Sequence, residues 1–110
     1  MATIPANQLK QGTIDVVNGL VITAPNRVLS QVALSFNNPT AYDITISITR
    51  NATGSTVQMY SLTLDAGDTM ETGAYVLMPS DRITVTTSAA GTTYMASIGN
   101  SNYDPSQVGT

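Results

Sequence analysis

The chain has no cysteine, no histidine, no tryptophan and a single phenylalanine, and only 10% of its 110 residues are charged. Each absence closes a route to chemistry. Without Cys there is no thiol nucleophile, no disulfide framework and no thiolate zinc site, and nothing is said about redox compartment. Without His, the usual triads and dyads of nucleophilic catalysis cannot be assembled. Lys10 is the only lysine and lies near the N-terminus, a poor place for a desolvated Schiff-base amine. The cations Lys10, Arg27, Arg50 and Arg82 are scattered in a chain of net charge −3, whereas phosphate-tracking surfaces need clustered Lys and Arg. Nucleic acid is therefore not an expected partner. The longest apolar runs, such as Leu20-Val21-Ile22, fall far short of the ~20 residues needed to span a bilayer. Met1 to Pro5 has no basic or long apolar segment of the signal-peptide kind, so no membrane partner is expected and synthesis in a cytoplasm is.

In place of charge the chain carries Thr, Ser and Asn, set alternately with Ile, Val, Leu and Met. A typical soluble domain is about a quarter charged. A strand face of hydroxyls costs less to desolvate against another protein than a face of Lys and Glu. Composition thus favours an assembly part over an enzyme, with no cofactor or metal expected.

The apolar spacing is two almost throughout. In Asp43 to Arg50 the residues Ile44, Ile46 and Ile48 face one way and Thr45, Ser47 and Thr49 the other, the mark of a half-buried antiparallel strand. Asn51 to Ser55 supplies a turn, with Gly54 free to take positive φ, and Val57, Met59, Leu62 and Leu64 return. The change of parity between Met59 and Leu62 predicts a bulge near Tyr60-Ser61. Arg27 to Asn37 reads as a strand with Val28, Ser30, Val32, Leu34 and Phe36 in one register, and strands flank Asn18-Gly19 at Thr13 to Val17 and Leu20 to Thr23. An ambiguous strand ends at Ala74 to Leu77. Ile83 to Thr87 and Thr93 to Ile98 read as a second hairpin about Ala89-Ala90-Gly91. The expected fold is all-β, an antiparallel β-sandwich of jelly-roll type with seven to eight short strands, with Ile44, Ile46, Ile48, Val85 and Leu34 facing inward. The expected organisation is an N-terminal arm at 1–12, a sandwich domain at 13–99 and a polar tail at 100–110. If the arms order on a neighbouring subunit, Ile4, Leu9, Tyr103 and Val108 are the interface candidates.

Asp65, Asp68, Glu71 and Asp81 form the only carboxylate cluster in the sequence; three of the four fall in or beside turns, and the Asp residues read as turn formers, since their side chains satisfy turn amides directly. Their spacing lacks the alternating ligands and closing Glu of a hand-type calcium loop. Asn51-Ala52-Thr53 matches a glycosylation sequon without a routing signal, and the glycines stand singly in turns rather than in a phosphate loop. Tyr42, Tyr60, Tyr75, Tyr94 and Tyr103 could line a sugar groove, but strand tyrosines more often pack.

Thr23-Ala24-Pro25-Asn26-Arg27-Val28, Leu34-Ser35-Phe36-Asn37-Asn38 and the Ile44 to Arg50 strand, followed by Leu64-Asp65-Ala66-Gly67-Asp68 and Tyr75 to Val85, resemble a layout of small tailed-phage virion proteins. The resemblance covers residues 13 to 99, and Ser80 stands where many such chains carry Gly. It implies a β-sandwich structural protein of the virion, made in the host cytoplasm, with no catalytic residues. Within that class a capsid decoration or cement protein fits best, a dimer or trimer stapling subunits of the major capsid protein or another virion protein. The alternatives are a neck, tail or fibre component, or a carbohydrate-binding sandwich.

Overall fold

A computed structural model describes residues 7–52 and 55–102. The strands are β1 (Gln8–Thr13), β2 (Leu20–Thr23), β3 (Val28–Asn37), β4 (Ile44–Ala52), β5 (Ser55–Leu64), β6 (Thr69–Glu71), β7 (Tyr75–Leu77), β8 (Arg82–Thr87) and β9 (Thr93–Asn102). Among the described residues there is no helix, and so none long and apolar enough to cross a membrane.

The first sheet runs β1-β9-β3-β6, with β7 also on β3, and the second runs β2-β8-β4-β5. Every pair is antiparallel. The pairing is nested: the first strand lies beside the last, β2 beside β8, β3 beside β6 and β7, and β4 beside β5. That is the order of a jelly roll, in which two Greek keys fold a long hairpin over on itself.

Alternation decides which residues meet between the sheets. Leu34, Ile44, Ile46, Ile48 and Val85 are all buried, joined by Val32, Phe36, Leu77, Ile83 and Ala96 in one cluster. The bulge falls at Met59: Ile48 pairs with Tyr60 and Thr49 with Gln58, leaving Met59 without a partner on β4. The turn residues Thr53 and Gly54 lie outside the described residues.

Three expectations change. First, β8 and β9 are not a hairpin. β8 lies in the second sheet and β9 in the first, so Ser88 to Thr92 crosses between layers. Both strands point their apolar rows into the same core from opposite sides, and alternation alone reads identically for the two arrangements. Second, Thr13 to Val17 is not a strand; the strand is Gln8–Thr13, inside the span expected to be an arm. Gln8–Thr13 lacks alternation because all of its side chains are exposed, and it is held by its ladder to β9. Ile14 then turns into the core while its amide donates to the Thr92 carbonyl, and Asp15 to Gly19 bridge to the second sheet. Gly19 has φ +71, and a Cβ there would sit 2.6 Å from the Val85 carbonyl oxygen, so the turn requires glycine. Third, the strand that ended ambiguously is two, β6 and β7, both on β3. Between them the Thr72 amide donates to the Leu34 carbonyl and the Thr72 hydroxyl accepts from the Leu34 amide, so a side chain completes the ladder where the backbone bends away.

Candidate interaction surfaces

The outer face of the second sheet is a hydroxyl carpet. Its register sets Val21, Thr84, Thr49 and Gln58 in one row and Thr86, Ser47 and Ser61 in the next. Beyond them lie Thr23, Arg82, Asn51 and Thr56 on one side and Thr45 with Thr63 on the other. Arg82 is the one charged side chain among these. Two pairs of its polar groups bond across strands: the Thr45 and Thr63 hydroxyls are 3.1 Å apart, and the Asn51 side-chain amide donates to the Thr56 hydroxyl at 2.8 Å. Groups already paired within the sheet lose little when water is removed.

The outer face of the first sheet carries a groove of about 340 Å³. Gln11, Met95, Ser35 and Glu71 form one row across it, and Thr93, Asn37 and Thr69 the row beside it. Leu9 shares this face. It pairs with Ser97, sits diagonally from Met95 and is 64% exposed. Of the expected interface residues Leu9 alone is described; Ile4, Tyr103 and Val108 lie outside the described residues. Glu71 is the groove's only charged group among its lining residues.

The carboxylates are held by local structure. Asp81 is buried in the β7–β8 turn with Arg50 at 2.6 Å. Asp65 and Asp68 close the β5–β6 turn through backbone groups, the Asp68 amide donating to the Asp65 carbonyl. Asp15 accepts from the Val17 amide and from the Asn18 side chain, which hold its carboxyl below the ordinary range. Among the described residues no three His, Cys, Asp or Glu side chains come together as a metal site.

The tyrosines serve separate places. The Tyr42 hydroxyl donates to the Ala90 carbonyl, tying the β3–β4 loop to the inter-sheet crossing. Tyr94 lines the groove, yet its ring lies beside Gly12 on the inward side of the strand pair. Burial, then the charge of Tyr60, raise the Tyr75 phenol above its ordinary value.

The role of one residue was not legible in the sequence. Asn38, fully buried after β3, donates its side-chain amide to the Tyr42 and Leu64 carbonyls and accepts from the Thr40 amide. An asparagine in a loop gives no sign that its side chain is the loop's centre. Comparison with protein-family models, with curated proteins and with solved structures gave no match.

Proposed function

We propose that this protein is a structural component of a virion, and within that class a capsid decoration or cement protein that lies on the shell and staples neighbouring capsid subunits. The observation that carries the reading is the outer face of the second sheet: four strands wide, rich in hydroxyls and with Arg82 as its one charge. Such a face suits permanent contact with another protein, because it buries without stranding charge and is polar enough to keep the free chain in solution. The resemblance of residues 13 to 99 to small tailed-phage virion proteins supplies the particle. Among the described residues Asp65, Asp68 and Asp81 stand in or beside turns. A glycan-binding role draws less support, since Tyr94 is the only tyrosine at the groove and its ring packs inward.

The test is a co-sedimentation titration against capsid shells lacking the protein, at low and high salt. Saturable binding that changes little with salt supports the reading, because contact through a face with a single charge is weakly screened. Absence of binding to shells, with binding to isolated necks, tails or fibres, moves the protein elsewhere on the virion.

A further inference from the structure

A jelly roll has open edges, and in this one three of the four are guarded. β1 carries Lys10 in its middle. β2 is only 4 residues long. The β6–β7 edge is broken into strands of 3 residues and carries Glu71. Charge, brevity and interruption are devices by which sheet proteins avoid edge-to-edge pairing, and a bulge is a further one. β5 has none of the first three and carries only the bulge at Met59. It is 10 residues long, Ser-Thr-Val-Gln-Met-Tyr-Ser-Leu-Thr-Leu, without charge, proline or glycine, and among the described residues only β4 pairs with it. Val57 is 55% exposed, Tyr60 41% and Met59 37%.

We infer that β5 is the seat of a two-fold dimer, in which it pairs antiparallel with β5 of a second copy. The sequence of the strand around its bulge selects a copy of itself as the occupant. Ahead of the bulge Val57 lies on the inward side with Arg50, and Thr56 and Gln58 lie outward; after it Leu62 is inward and Ser61 and Thr63 outward. A two-fold axis at Met59-Tyr60 therefore sets Val57 opposite Leu62 of the copy, Gln58 opposite Ser61 and Thr56 opposite Thr63. Apolar meets apolar on one face and hydroxyl or amide meets its like on the other. Without the extra residue at Met59 this register would oppose mismatched faces. The absence of charge matters as well, because no position along the strand sets an unpaired charge against the copy. Pairing joins the two 4-stranded sheets into one and doubles the hydroxyl carpet on a single surface. The inference stands apart from the virion role and can hold or fail without it.

Sedimentation velocity of the full chain tests it, with two outward-facing pairs of substitutions. Gln58→Lys with Ser61→Lys sets like charges opposite each other on both sides of the axis; Gln58→Lys with Ser61→Glu sets opposite charges there. The unmodified chain is expected to sediment as a dimer, the first variant to weaken association by about tenfold or more, and the second to restore it. Because both variants change the same exposed positions, a folding defect cannot mimic that contrast. Since the chain has no native cysteine, a mixture of separately made Gln58→Cys and Ser61→Cys proteins gives an independent reading. Directly opposed antiparallel residues lie within disulfide reach, so a heterodimeric cross-link should form under mild oxidation, and more readily than in either protein alone. A monomer, a trimer, or a dimer indifferent to the charge pairs overturns the inference.

Discussion

Asn38 shows how much of this fold can rest on one side chain. Its amide satisfies the Tyr42 and Leu64 carbonyls, its carbonyl oxygen receives the Thr40 amide, and its own backbone is bonded to Asp68 and Gly67. The β3–β4 loop and the β5–β6 turn are thus fastened to each other at a buried point. Asn38→Ala strands those groups and leaves a void, and should cost about 2–4 kcal/mol in a denaturant titration. Ser80 is a different kind of constraint. It takes φ +70 in the turn before β8, and its hydroxyl donates to the Asn26 side chain across the facing loop. Tyr75 gives the molecule an alkaline limit. Its phenol is raised above 10.0, so the folded state holds the proton more tightly than the unfolded chain. That stabilisation is complete below the unfolded value and is lost as pH rises through the higher folded one. The melting temperature should fall above about pH 10, and Tyr75→Phe should make that fall shallower.

At the scale of elements, the strictest alternation gave the firmest reading. Ile44, Ile46 and Ile48 are all fully buried, and the parity change in the returning strand marks a real bulge at Met59. Ile46→Ala should therefore cost about 2–5 kcal/mol by thermal or chemical unfolding. Thr45→Ala, which removes an exposed hydroxyl pair with Thr63, should cost less than about 1 kcal/mol. Alternation fails where its cause is missing. β1 has no buried face, so Gln8–Thr13 shows no period and only its ladder to β9 reveals it. Nor does alternation name a sheet partner, which is why β8 and β9 read as neighbours although they face each other across the core. The N-terminal segment now divides at Gln8: removing residues 1–12 strips most of β1 from the β9 edge, whereas removing 1–6 leaves β1 whole. The shorter truncation should melt close to the full chain and the longer one lower, by a few degrees or more. If the first residues are an arm, the shorter truncation should already weaken attachment to shells, with folding unchanged.

For the whole molecule, low charge and abundant hydroxyls are legible in the composition, but where they lie is not. The topology assigns Thr84, Thr49, Ser47 and their neighbours to one side of one sheet, and Leu9 and the groove residue Met95 to the outer face of the other. The free edge of β5 could not be seen in sequence, because a strand's position in its sheet depends on pairings made far along the chain. A sandwich with two charge-poor faces and a long uncharged edge strand is suited to a lattice, where each copy touches several neighbours. The central claim is that this chain is part of a particle's outer shell. It is tested most directly by image reconstruction of the purified virion, with and without the protein. The account predicts density for a two-sheet sandwich on the capsid surface, its hydroxyl face toward the shell, that vanishes when the protein is omitted. Particles whose shells carry no such density, or whose protein content lacks this chain, would contradict it.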